Sequence, residues 1–265
     1  MEKRTNPFGS KDYKWSYSSL STFEECPLAF KLHYIQQLED KDSAFTQYGK
    51  LVHSILERYY KKELNIFELA DIYRNEYCEK VTDDFPVLFQ SLEDLYYDSG
   101  ESYFETFDDD FFDYKVIAVE QRFLTKIGEY SFTGVIDLIL QDGEDYLIVD
   151  HKSKSKFKSK KEHQKYLRQL YLYSMYIYET YGKYPKKLIF NLIRSKDVVE
   201  ADFDYQKYQD TLAWAENTIK SALSEKVFED KIKLGDTAEK YKPGDDFYCS
   251  KLCSMRTFCV RSDAF

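Results

Sequence analysis

Gly134-Val135-Ile136-Asp137-Leu138-Ile139-Leu140, followed shortly by Tyr146-Leu147-Ile148-Val149-Asp150-His151-Lys152, is the stretch on which the fold turns. Both halves are aliphatic, β-branched runs of strand length, and each carries an aspartate. An ionised carboxylate among Val, Ile and Leu costs several kcal/mol unless a cation or hydrogen-bond donors compensate it. Two of them on neighbouring strands point to a shared cation. Side chains alternate along a strand, so Asp150 and Lys152 share a face and can aim a metal ligand and an ammonium at one point. Phosphodiester hydrolysis needs that combination: Mg²⁺ or Mn²⁺ on oxygen ligands polarises the phosphate and a water, while a lysine offsets developing charge. Read singly, Asp150 could instead end a strand and Lys152 could be solvated.

Working outward, residues 115–127, 130–141 and 145–151 form three runs rich in Val, Ile, Phe and Tyr, separated by Gly128-Glu129 and Asp142-Gly143. That spacing predicts an antiparallel meander. A helix is expected over 160–181, strands over 187–194 and 198–203, and a helix over 206–226. Upstream, apolar spacing predicts a helix over 20–37 bent near Pro27 and an amphipathic helix over 48–62 with His53 at the edge of its apolar arc. Residues 63–113 read as helix and loop, ending in the acidic aromatic stretch 104–113, to which no function is assigned. The expected architecture is an α/β core with a helical cap, divided as a helical N-terminal region 1–113, a core 114–228 and a cysteine-bearing segment 229–265.

The chain has 265 residues, 38 Lys plus Arg against 47 Asp plus Glu, and a net charge of −9. That excludes a generally basic histone-like protein but leaves room for local nucleic-acid contacts. No apolar run approaches the roughly 18 residues of a membrane span, and Met1 to Pro7 lacks a secretory apolar stretch, so the expected location is the cytoplasm with no membrane partner. In a reducing compartment, clustered cysteines read as metal ligands more readily than as disulfides.

The pattern Gly134-Val135-Ile136-Asp137 followed by Ile148-Val149-Asp150-His151-Lys152 resembles the GxxD…hhDxK signature of the PD-(D/E)XK nuclease superfamily, in its RecB-like branch. Gly49-Lys50-Leu51-Val52-His53 is similar to the branch's GxxxH motif, and Gln169-Leu170-Tyr171-Leu172-Tyr173 to its QxxxY motif. The segment from Tyr17 through Cys26-Pro27 to Lys31 resembles its opening SxLxxFxxCPxxFK segment. The resemblance implies a restriction-endonuclease-like mixed β-sheet flanked by helices. It implies one or two Mg²⁺ or Mn²⁺ ions on His53, Asp137, Asp150 and the His151 carbonyl, with Lys152 assisting attack and Gln169 and Tyr173 positioning DNA. Glu120 could add a ligand or pair with a lysine, and the structural role ranks first for it.

Cys26 with Cys249, Cys253 and Cys259 resembles the iron–sulfur nucleases of this superfamily, including AddB-type subunits and CRISPR-associated RecB-like nucleases. In that resemblance a [4Fe–4S] cluster ties both chain ends into one lobe. Three residues separate Cys249 from Cys253 where the common pattern has two, and Zn²⁺ on the four cysteines is the alternative. Cys78 reads as a packed thiol. From Lys152 to Arg168 there are seven Lys and one Arg against one Glu; Lys154 and Lys156 here could contact DNA phosphates, and Tyr166, Tyr171 and Tyr173 could either stack on bases or belong to the core. The expected function is a metal-dependent DNA exonuclease acting on ends, mainly single-stranded, in recombination, repair or phage DNA processing. The alternatives are a CRISPR-type DNA-trimming nuclease or a non-catalytic DNA-binding accessory protein. The chain carries no P-loop pattern, so unwinding would fall to a helicase or recombination partner.

Overall fold

The computed structural model describes residues 8, 12–39, 42–87, 91–224, 249 and 252–259. Expectations about 225–248, including the end of the last helix and most of the cysteine segment, fall outside the described residues. The described chain divides into two compact units: residues 44–123 with 134–208, and the described parts of 1–43, 124–133 and 209–265.

In the larger unit, helices α3 (Ala44–Tyr60), α4 (Leu69–Lys80) and α5 (Leu92–Glu105) come first. Strands β2 (Lys115–Ile127), β3 (Tyr130–Asp142) and β4 (Asp145–Lys152) follow, with the Ile127 and Tyr130 ends in the smaller unit. Helix α6 (Lys160–Tyr181) then crosses to β5 (Lys187–Leu192), which leads to β6 (Asp197–Asp202). Strands β3 and β4 run antiparallel with Leu138 opposite Val149, β5 lies parallel to β4 with Asn191 opposite His151, and β6 returns antiparallel to β5. Strand β2 pairs with β3. The sheet is therefore mixed. A parallel pair needs a crossover, and α6 supplies it. Its ends are marked in the sequence: the Ser159 hydroxyl accepts from the Glu162 N–H, and Gly182 closes the helix at φ 72°.

Alternation along the strands assigns the two faces. Leu138, Leu140, Leu147, Val149 and Ile189 share one apolar core with Leu51, Ile55 and Tyr73 of α3 and α4. His151 follows Leu147 and Val149 onto this face, whereas Asp150 and Lys152 turn to the other, toward α6.

In the smaller unit, α1 (Tyr17–Glu25) and α2 (Pro27–Phe30) replace one long helix, because Cys26 between them is extended at φ −155° and Pro27 opens the second. A π-helical turn, Lys31–Ile35, continues α2. Strand β1 (Lys14–Trp15) pairs parallel with Ser131 and Phe132 of β3. Helix α7, Tyr205–Ser224, begins in the larger unit. No helix among the described residues is long and apolar enough to cross a membrane.

Helices α4 and α5 meet at Gly100, where a Cβ would stand 2.4 Å from the hydroxyl oxygen and 2.5 Å from Cζ of the fully buried Tyr73. That hydroxyl donates to the Tyr97 carbonyl at 3.1 Å, so the ring is not free to give way. Gly100→Ala is expected to lower unfolding free energy by about 1–3 kcal/mol, the usual cost of overpacking. Urea unfolding checks this, and an unchanged midpoint would contradict the contact.

Candidate metal centre and active site

His53 on α3, Glu120 on β2 and Asp137 on β3 each offer a ligand atom, and the three atoms lie within 4.8 Å of one another. His53 Nδ1 stands 3.5 Å from Asp137 Oδ2, and their side chains are 32% and 12% exposed. They line an open cavity of about 620 Å³ with Phe45, Gly49, Lys50 and Ser153. Gly49, the first residue of the GxxxH pattern, faces Ser153, where a Cβ would make ordinary contact with the serine Oγ at 3.4 Å.

Asp150 and Lys152 adjoin this group from the next strand. The Asp137 carboxylate accepts the His151 backbone N–H at 2.8 Å, which ties β3 to the DxK segment. Lys152 Nζ lies 2.6 Å from Asp150 Oδ2 and donates to Gln169 Oε1 at 3.0 Å. The Gln169 amide in turn donates to the Tyr173 hydroxyl at 2.9 Å. A chain of polar contacts thus runs from Asp150 through Lys152 and Gln169 to Tyr173. Tyr173 also explains the glycine of the GxxD pattern: a Cβ on Gly134 would meet its ring at 2.6 Å and the Phe123 ring at 2.8 Å.

Electrostatics mark the centre as short of positive charge. Burial, and then the Asp150 charge, pushes Asp137 up to about 8. Burial and Asp137 together push Glu120 up to about 7. Burial pulls His53 below its ordinary value, so its imidazole is neutral and able to donate an electron pair to a metal. Two or three carboxylates and a neutral imidazole fit a hard divalent cation, whose charge supplies what the site lacks.

Glu120, for which the sequence favoured a structural role, lies in the group of side chains that could hold a metal ion. Its backbone sits at φ 51°, a strained left-handed conformation inside a strand. The available signal was an acidic residue following Val116-Ile117-Ala118-Val119, the same anomaly that marks Asp137.

A second set of residues fixes the His151 ring on the opposite face. Tyr60 stacks on it at 5.8 Å with 10° between planes, and His53 meets it edge-on at 5.9 Å. Asn191 Nδ2 lies 3.1 Å from His151 Nδ1 and donates to the Tyr103 hydroxyl at 2.8 Å. The acidic aromatic stretch also gains a role here, because Asp109 accepts from both Tyr59 and Tyr60 hydroxyls at 3.0 Å and so pins the end of α3.

Tyr171 and Tyr173 are 2% and 6% exposed, so they belong to the core and offer no face to a base. Lys154 is engaged by Glu162 at 2.8 Å and by the Tyr166 hydroxyl at 3.2 Å, whereas Lys156 is exposed. Cys78 is exposed, not packed. Cys26, Cys253 and Cys259 border a small cluster of Leu28, Leu32 and Met255 in the smaller unit. Their sulfurs, with that of Cys249, form no group close enough to share one ion among the described residues, so the arrangement does not support a four-cysteine zinc site. Cys26 Sγ instead accepts the Ala29 N–H and caps α2, and burial raises the Cys253 thiol.

Residues 14–260 match the family model of the PD-(D/E)XK nuclease superfamily, and the chain belongs to that superfamily. Among solved structures it resembles a Eubacterium rectale protein described as a "putative exonuclease", with TM-score 0.55 and 14% identity over 88% of this chain and 89% of that one. At that identity the likeness speaks for the fold alone. No curated protein matches the sequence.

The raised Asp137 carboxyl has a stability consequence. An acid whose folded-state pKa exceeds its unfolded value holds its proton longer when folded, so stability is lost as pH rises from about 4 toward about 8. Metal-free Asp137→Asn is therefore expected to melt above the metal-free wild type at pH 8, with the gap closing toward pH 4. Melting curves across that range check it, and a gap independent of pH would contradict it.

Proposed function

We propose that this protein is a divalent-metal-dependent deoxyribonuclease that shortens DNA from its ends, mainly on single strands. The observation that carries the reading is the convergence of His53, Glu120 and Asp137 at one open cavity, with the Asp150–Lys152 pair on the strand next to Asp137. In this reading His53, Glu120 and Asp137 hold the ion, with Asp150 and the His151 carbonyl as neighbouring ligands. When bound, the ion supplies Lewis-acid polarisation of the phosphodiester and makes water nucleophilic at neutral pH.

The chain's own residues do the rest. Asp150 and Gln169 hold the Lys152 ammonium in one place, so it offsets the charge developing on phosphate without reorganising at the moment of reaction. Tyr173 orients Gln169 and, buried against Gly134, gives that arrangement a rigid base. The [4Fe–4S] cluster and the helicase partner form no part of this proposal.

The test uses oligonucleotides labelled at either end, single- and double-stranded, with Mn²⁺ or Mg²⁺. Shortening from an end is expected, chelation should abolish it, and Asp150→Ala or Lys152→Ala should each slow it by at least about a hundredfold, the scale of losing one preorganised charge-stabilising group. Glu120→Gln is expected to raise the metal concentration needed for half-maximal rate by about tenfold or more. Equal rates in wild type and the Asp150 and Lys152 variants would overturn the proposal.

A further inference from the structure

Arg194 is a cation that the proposed chemistry leaves unused. Its guanidinium carbon lies 3.9 Å from the centroid of the Tyr96 ring, its Nε is buried without a hydrogen-bond partner, and it makes no ion pair with a carboxylate among the described residues. The neighbouring lysine differs: Lys154 is neutralised by Glu162. Beyond its contact with the Tyr96 hydroxyl, a guanidinium resting on an aromatic face keeps N–H groups for another acceptor.

Its position relates it to the cavity by two routes. The Arg194 N–H donates to the Lys154 carbonyl at 3.2 Å, next to Ser153, which lines the cavity. Tyr96 packs edge-on against Phe45 at 5.1 Å, and Phe45 lines the same cavity. The turn that carries Arg194 is also held firmly. The Ile193 N–H donates to the Lys152 carbonyl at 3.0 Å, and Lys196 Nζ donates to Ser102 Oγ and Thr106 Oγ1 of α5 and its cap at 2.8 and 2.7 Å. The arginine is therefore presented by a fixed turn directly beyond β5, the strand that pairs with the one carrying Asp150 and Lys152.

We infer that Arg194 binds a phosphodiester group of the DNA strand flanking the bond to be cut, with Tyr96 as its platform. The inference rests on the nuclease reading above and names a substrate contact within it. A planar guanidinium meets two phosphate oxygens at once, which fixes the strand's register at the cavity without reading its bases.

Steady-state cleavage of a labelled single-stranded oligonucleotide, repeated over a range of KCl concentrations, tests it. For Arg194→Gln the effect should fall on KM, raised about tenfold, more than on kcat. The log–log salt slope should shrink by about 0.7, the share of one phosphate on a single strand. Arg194→Lys should keep the slope, because it keeps the charge, whereas a purely structural stacking role would leave the slope unchanged in both variants. A second measurement needs no variant: a single-stranded oligonucleotide should protect Arg194 of the wild-type protein from phenylglyoxal, read by peptide mass spectrometry. An active wild type whose KM and slope are unmoved by Arg194→Gln, or whose Arg194 is not protected, overturns this inference alone. A wild type that neither cleaves nor binds the oligonucleotide with Mn²⁺ overturns the nuclease reading and this contact with it.

Discussion

Two aspartates in the interior of an aliphatic sheet set the terms for the rest of the molecule. Asp137 is pushed far above the carboxylate range by burial and by Asp150, and Asp150 itself is 3% exposed. Such charges are tolerated only where something nearby compensates them. Among the described residues the Lys152 ammonium meets Asp150 and the His151 backbone N–H meets Asp137, with Glu120 beside them as a third carboxylate. The shortfall in positive charge is what a divalent ion would fill, and it converts a structural cost into a binding site.

Much of the surrounding fold serves to hold those groups against their mutual repulsion. Sheet alternation sends Asp150 and Lys152 toward α6 and the His151 ring toward α3 and α5, so the DxK segment is gripped from both faces. On one side Gln169 and Tyr173 restrain the lysine; on the other Tyr60, Asn191 and Tyr103 restrain the imidazole. The glycine of one motif is a close-approach position for the tyrosine of another: Gly134 makes room for Tyr173. The motifs are thus parts of one packed assembly.

The strands and helices of the larger unit were legible because their signals are local. The runs ending at Ile127 and beginning at Tyr130, the Asp142-Gly143 turn, and the Ser159 and Gly182 ends of α6 all fall where residue type and period place them. Asp137, Asp150 and Lys152 were legible as a set because buried charge at strand spacing is rare without a reason, whereas His53, on a helix, entered through the resemblance of Gly49–His53 to the GxxxH motif. Glu120 carried the same signal, but its positive φ is a backbone feature that side-chain pattern does not reveal. The partners of Asp109, Asn191 and Arg194 are distant in sequence, with Tyr103 and Asn191 paired across 88 residues, so no spacing rule could find them. The cysteines are a different case: Cys26, Cys253 and Cys259 do border one small cluster, as their pattern suggested, but among the described residues no three sulfurs come within 4.8 Å of one another.

Diffraction from manganese-soaked crystals, recorded where manganese scatters anomalously, addresses the central claim most directly. The account predicts an anomalous peak bonded to His53, Glu120 and Asp137, with Asp150 and the carbonyl of residue 151 alongside. Manganese bound only elsewhere, with this cavity empty, would contradict it.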